Sequence, residues 1–264
     1  MFDLDDTLLR DDLTISDFSV RVFQALHARG IHIIAASGRS QFSMKPYIDQ
    51  LSCVSLYISS NGAEIWEGGT HRLLRQELFS ADLSREIARF AEKHQCYAQV
   101  YEGGSFFYSM HCQWADKYAA STRLTGVYVG KLSDFIREPR NKILMIDDRE
   151  KIAMMYREAA SLVDGRASVT CSKPIYLEFN PMNARKGKAL ETVCSILGIS
   201  PENTVAFGDS LNDLSMLRTA GLGVAVSNGW QEISPYCSAV CLSNNEDGPA
   251  RFLNEHYLNG EVLS

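Results

Sequence analysis

Thr204-Val205-Ala206-Phe207-Gly208-Asp209-Ser210-Leu211-Asn212-Asp213 is the stretch that decides the fold. A short apolar run ends at a glycine, where the backbone can turn tightly, and carboxylates follow before helical spacing resumes over Leu211–Ala220. The alternation continues on both sides. A helix is predicted over Gly187–Leu197, and strands over Thr204–Phe207, Gly223–Val226 and Ala239–Leu242. Near the other end, Phe18, Val22, Ala25 and Leu26 recur at helical spacing between Ser16, a suitable N-cap, and Gly30, a suitable stop. Ile31–Ala36 runs into Ser37-Gly38-Arg39, and Val54–Ile58 into Ser59-Ser60-Asn61-Gly62, the pattern of buried strands ending in polar loops. Strands alternating with helices predict an α/β fold with a doubly wound, mostly parallel Rossmann-like sheet.

The middle of the chain departs from this pattern. Helical stretches at Leu83–Lys93 and Arg149–Ala160 stand among strand-like runs at Tyr97–Tyr101, Ser105–Ser109, Lys142–Ile146 and Ile175–Phe179. This predicts an inserted α+β domain over 80–181, leaving a discontinuous core of 1–79 and 182–264. Of 264 residues, 45% are hydrophobic and 22% charged, which excludes a disordered chain. The net charge of -6 argues against nucleic acid as a partner, while a local cluster of cations could still hold a phosphate. No apolar run approaches the ~20 residues of a membrane span, and the acidic opening is no secretory signal. Seven cysteines without a C-x-x-C pair fit free thiols in a reducing, cytoplasmic setting, and Cys237 and Cys241 lack the companions of a metal site.

Phe2-Asp3-Leu4-Asp5-Asp6-Thr7 places two carboxylates at i and i+2, on one side of an extended chain. Such a pair suits a division of labour between a nucleophile or metal ligand, Asp3, and a general acid/base, Asp5. Loops after different parallel strands converge at the carboxyl edge of the sheet, so Asp3 and Asp209 can meet there. Carboxylates gathered at one point repel unless a hard cation such as Mg²⁺ takes oxygen ligands from them. Asp213 can belong to that group or serve as a helix N-terminal acid. Ser37 and Gly38 offer a hydroxyl and an unobstructed N–H to a phosphate oxygen, and Lys186 offers a positive charge where a helix begins. G-x-G-x-x-G and G-x-x-x-x-G-K-[ST] patterns are both absent. Trp114, Tyr118, Phe106 and Phe107 read as the core of the inserted domain or as a pocket lining.

The ordered set D-x-D-x-T, S-G-R, K-G-K-A-L and G-D-S-L-N-D resembles the haloacid dehalogenase superfamily, and within it the Cof-type phosphatases with a type IIB cap. Ser59–Ala63, Tyr176–Pro181, Gly223–Asn228 and Asn244–Gly248 extend the resemblance over essentially the whole chain. The resemblance implies a Mg²⁺-dependent phosphatase acting on small phosphorylated metabolites, sugar phosphates or phosphorylated cofactors, through an aspartyl-phosphate on Asp3. By the same resemblance, Asp5 is the acid/base, and Asp209 binds Mg²⁺ with Asp3 and the backbone carbonyl of Asp5. Ser37, Gly38, Lys186 and Asn212 then hold the phosphoryl group, with Asp213 supporting them. A phosphomutase and a noncatalytic phosphometabolite-binding module are the alternatives. One departure stands out: only Met1 and Phe2 precede Asp3, fewer apolar residues than a central strand needs. About four missing at roughly 2 kcal/mol each would rival the ~5–15 kcal/mol stability of a domain, so the natural chain is expected to begin several residues earlier.

Overall fold

A computed structural model gives the structure of residues 1–263. The chain divides into two compact units. One comprises Met1–Gly38, Met44–Arg75 and the chain from Arg185 onward; the other comprises Arg39–Ser43 and Gln76–Ala184.

In the first unit, strand Ile33–Ala36 pairs in parallel with Val54–Ser59, which pairs antiparallel with Glu64–Glu67, with Leu73–Gln76 beyond it. A second group, Val205–Gly208, Leu222–Val226 and Ala239–Cys241, is parallel throughout. The start of the chain joins the two groups. Phe2 N–H donates to Ile34 O (3.0 Å) and Phe2 O accepts from Ala36 N–H (2.9 Å). On the other side, Asp3 N–H donates to Phe207 O and Phe207 N–H to Met1 O, both at 3.0 Å. The segment before Asp3 is a two-sided parallel bridge at Phe2, to Ala35 and to Phe207.

Alternation along these strands builds a core on each face of the sheet. Ile33, Ala35, Phe207, Val224 and Val226 join Val22, Phe23, Leu26 and Leu51 on one face. Their chain neighbours Ile34, Ala36, Ala206 and Ala225 join Ala189, Val193, Met216 and Leu217 on the other. Helices Asp17–Ala28 and Gln41–Leu51 thus serve the first face, and helices Lys186–Leu197 and Leu214–Thr219 the second. This is the doubly wound arrangement the sequence predicts. Ser16 caps its helix by accepting from Ser19 N–H at 3.0 Å, and Gly198 ends the Lys186 helix in the left-handed region at φ 68°.

The second unit is a six-stranded sheet in the order 125–128, 105–108, 97–102, 143–146, 176–181, 167–170. All its pairs are antiparallel except the first. Helices Ala81–Lys93 and Arg149–Val163 bury Leu83, Ile87, Phe90, Ile152 and Met155 against Val100, Ile143, Met145, Leu177 and Phe179. Phe106 and Tyr118 belong to a separate buried aromatic cluster with Tyr97 and Tyr101, and Trp114 packs against it. Phe107 packs on the opposite cluster. Phe106 and Tyr118 are core, whereas Trp114 and Phe107 are partly buried at its margin. Among the described residues no helix is long and apolar enough to cross a membrane, and all seven cysteines are free.

Candidate active site

Three neighbouring parallel segments end side by side at the carboxyl edge of the sheet: Ala36 leads to Ser37, Phe2 to Asp3, and Gly208 to Asp209. The sheet pairing itself therefore gathers residues that lie far apart in sequence. Asp3, Asp209 and Asp213 are all buried, and each contributes a carboxylate oxygen to a group whose members lie within 4.8 Å of one another. The Lys186 ammonium stands between two of them, donating to Asp3 Oδ1 at 2.5 Å and to Asp213 Oδ1 at 2.6 Å. A cation in the first turn of a helix opposes the helix dipole, and here two carboxylates offset that cost.

Asp213 does not cap the helix that follows it. Its Oδ2 accepts from Asp209 N–H and Ser210 N–H, both at 3.1 Å, while its Oδ1 accepts from Lys186. These bonds fold residues 209–213 into a loop, so the helix begins at Leu214 instead of Leu211. Gly208 is required beneath this loop, because a Cβ there would stand 2.5 Å from Asp213 Cβ.

The Leu4–Leu8 segment is a wide turn closed by Leu9 N–H donating to Leu4 O at 2.8 Å, with Asp6 in the left-handed region at φ 57°. Distant residues hold it. Asn228 Nδ2 donates to Asp6 O (2.7 Å), Asn244 Nδ2 to Leu9 O (3.0 Å), and Asn244 N–H to Asn228 Oδ1 (3.0 Å). The turn keeps Asp5 half-buried, close enough for its charge to act on Asp3, and buries Thr7, whose Oγ1 donates to Asp209 Oδ1 at 3.1 Å.

Burial dominates the electrostatics. It pushes the Asp3 carboxyl up to about 8, with Lys186 pulling it down and Asp213 and Asp5 adding to the rise. Burial likewise pushes Asp209 up to about 9, helped by the charges of Asp213 and Asp3. The same burial opposes the charge on Lys186, but Asp213 and Asp3 outweigh it and hold the ammonium above its ordinary range. The donor set fits a hard divalent cation. Buried carboxylate oxygens converge, one ammonium is too little to keep them all ionised, and a second positive charge would relieve both Asp3 and Asp209. Asp213 already engages both its oxygens within the protein, which leaves Asp3 and Asp209 as the carboxylates placed for the ion.

Of the residues singled out in the sequence, Asp3, Lys186, Asp209 and Asp213 form one bonded cluster. Ser37 and Asn212 are joined through Asn61, whose N–H donates to Ser37 O at 3.0 Å and whose Oδ1 accepts from Asn212 Nδ2 at 3.1 Å; Asn212 reaches the cluster through Ser210, and Gly38 lies against the Asn61 side chain. Asp5 lies beside the cluster without joining its carboxylate group. Thr7, Asn61, Asn228 and Asn244 were not read as site residues. A cavity of about 550 Å³ lined by Phe2, Leu26, Ile33, Val193, Leu197 and Val205 lies at the opposite end of the parallel strands and takes no part in the site.

A family model for haloacid dehalogenase-like hydrolases matches residues 1–253. The chain is 27% identical over 261 residues to 5-amino-6-(5-phospho-D-ribitylamino)uracil phosphatase YcsE of Bacillus subtilis, covering 97% of this chain and 94% of that protein. Over 269 residues it is 29% identical to YitU, a phosphatase of the same description from the same organism, covering 97% and 96%. A crystal structure of a haloacid dehalogenase-like hydrolase from Bacteroides thetaiotaomicron superposes with a TM-score of 0.88 at 25% identity, covering 97% of this chain and 98% of that one.

Proposed function

Since the chain belongs to the haloacid dehalogenase-like hydrolases, as a phosphatase of that family, we propose that it hydrolyses small phosphorylated metabolites through a phosphoryl group carried on Asp3. The observation that carries this reading is the Lys186 ammonium held between the buried carboxylates of Asp3 and Asp213, with Asp209 beside them. A carboxylate at the end of a strand, facing one fixed cation and room for another, is a nucleophile whose surroundings suit an incoming phosphoryl dianion.

In the proposed first step a carboxylate oxygen of Asp3 attacks phosphorus in line with the leaving oxygen. The P–O bond to the alcohol breaks as Asp5 gives its proton to the departing oxygen. In the second step Asp5, now ionised, takes a proton from water, whose oxygen attacks phosphorus and frees Asp3 and inorganic phosphate. Lys186 neutralises charge on the equatorial oxygens, and Ser37, the Gly38 N–H and Asn212 orient them. Asp3, Asp209 and the backbone carbonyl of Asp5 would hold Mg²⁺, which when bound supplies Lewis-acid stabilisation of the same oxygens.

Sugar phosphates and phosphorylated cofactors or their precursors form the substrate class, and the relatives' phosphoribitylaminouracil belongs in the first panel tested. The test is release of inorganic phosphate from such a panel in Mg²⁺, together with mass analysis of acid-quenched reactions. The expected result is phosphate release without an isomerised sugar phosphate, and a base-labile phosphoryl increment on the peptide containing Asp3. Phosphate release with the increment on another peptide overturns the assignment of the nucleophile.

A further inference from the structure

The Ser59–Ala63 stretch enters no step above, yet it touches three of the loops that do. Asn61 is 4% exposed and sits in the left-handed region at φ 58°, which asparagine tolerates better than most residues. Its N–H holds the Ser37 carbonyl. Its side chain lies so close over Gly38 that a Cβ there would be 2.9 Å from Asn61 Oδ1. The adjoining Gly62, at φ 109°, lies against the backbone of Arg185, which immediately precedes Lys186; a Cβ on Gly62 would fall 2.7 Å from the Arg185 carbonyl.

The bond to Asn212 is the informative one. A neutral amide carries two N–H donors and one carbonyl acceptor, and its two flipped orientations occupy nearly the same space. Ser210 Oγ donates to Asn212 Oδ1 at 2.7 Å, and Asn212 Nδ2 donates one hydrogen to Asn61 Oδ1 at 3.1 Å. The second Nδ2 hydrogen is the group left to meet an anion. Reversed, the same amide would turn its oxygen lone pairs toward phosphoryl oxygens and repel them.

We propose that Asn61 is a positioning residue: its side-chain oxygen fixes the orientation of the Asn212 amide, so that Asn212 presents an N–H to the phosphoryl group. The inference rests on the reading of Asn212 as a phosphoryl ligand given above. Asn61 acts through Asn212 and needs no contact of its own with substrate.

The test is a double-mutant cycle on the full chain, reading both kcat/KM for p-nitrophenyl phosphate and the Kd of inorganic phosphate by calorimetry. Asn61→Gly keeps the left-handed backbone and removes the acceptor. Asn212→Ala removes the donor. Each substitution alone should weaken both readouts on the order of tenfold, the scale of one hydrogen bond to a charged group. The double variant should be no weaker than Asn212→Ala. Multiplying losses in the double variant, or an Asn61→Gly protein within about twofold of the unsubstituted one, overturn the proposal. Asn61→Asp guards against a folding defect in the glycine variant. It keeps an acceptor oxygen, so Asn212→Ala should again cost its full factor there, and no cost in that background also overturns it. If Asn212→Ala changes neither readout in the unsubstituted protein, the phosphoryl role of Asn212 fails along with the inference. If phosphate binds with the predicted coupling but no substrate is hydrolysed, only the catalytic reading fails.

Discussion

Asp3 and Asp5 are alike in chemistry and two residues apart, and burial separates their surroundings. Asp3 is buried, bonded to Lys186 and pushed up by its surroundings, whereas Asp5 sits half-buried on the wide turn that Asn228 and Asn244 hold in place. Asp3→Asn should abolish both phosphoenzyme and turnover, since an amide oxygen is a poor nucleophile. Asp5→Asn should cost roughly 10²–10⁴ in rate on alkyl phosphates, the usual range for a general acid/base, and markedly less on p-nitrophenyl phosphate, whose leaving group needs little protonation. Comparing the two substrates in both variants checks this, and equal losses on both would remove Asp5 from leaving-group protonation. At this scale the charged members of the site were legible, because Asp3, Lys186 and Asp209 carry their chemistry in the residue type and stand at strand or helix ends. Asn61, Asn228 and Asn244 were not. A neutral amide signals nothing by itself, and Asn228 and Asn244 act on a turn more than two hundred residues away.

Helix Lys186–Leu197 aims Lys186 at the carboxylates only because it can lie very close to the helix Leu214–Thr219. A Cβ at Gly187 would stand 2.5 Å from the Ser215 carbonyl oxygen, and Gly187 N–H donates to Ser215 Oγ at 3.0 Å. Gly187→Ala must therefore push two elements of the site apart. Overpacking of this kind costs about 1–3 kcal/mol, and the displaced ammonium should lower kcat more than it raises KM. Gly69→Ala is the matched control, since a Cβ there meets nothing within 4 Å, and its thermal midpoint should stay close to that of the unsubstituted protein. A Gly187→Ala enzyme with unchanged midpoint and kcat would show that the close approach has no bearing on the site. The elements read correctly from the sequence were those with a strong period or a clear cap, such as Asp17–Ala28 behind Ser16. Gln41–Leu51 carries no clear helical signal, because Pro46 lies inside it and its polar residues blur the apolar stripe. The start of Gly248–Leu258 is obscured because Gly248-Pro249 reads as a turn, although proline is well suited to the first turn of a helix. The helix predicted over Leu211–Ala220 spans only Leu214–Thr219, because Asp213 draws the backbone amides of Asp209 and Ser210 into a loop by bonds that have no periodicity.

For the molecule as a whole, the sheet places buried carboxylates together before any ion is considered, and that arrangement links stability to pH. Asp3 and Asp209 are pushed up to about 8 and about 9, far above the ordinary 3.8 that they regain in the unfolded chain. Between those limits the folded protein binds more protons than the unfolded one, so their contribution is fully present below about pH 4 and is lost as pH rises through 8 to 9. A divalent cation on Asp3 and Asp209 reverses the preference, because it binds the ionised carboxylates and competes with protons. The gain in thermal midpoint on adding Mg²⁺ should therefore be small at pH 5.5 and grow steadily to pH 8.5. Titrations elsewhere in the molecule are common to both arms of that comparison and cancel. Asp209→Asn removes one ligand and one titrating group, so the gain should shrink and its pH dependence flatten. Differential scanning fluorimetry after EDTA treatment, with and without added Mg²⁺ across this range, measures it directly. An equal gain at both ends of the range would mean that the ion does not bind at the buried carboxylates. A gain that grows with pH in the parent and fails to grow in Asp209→Asn would locate the ion there without reference to turnover.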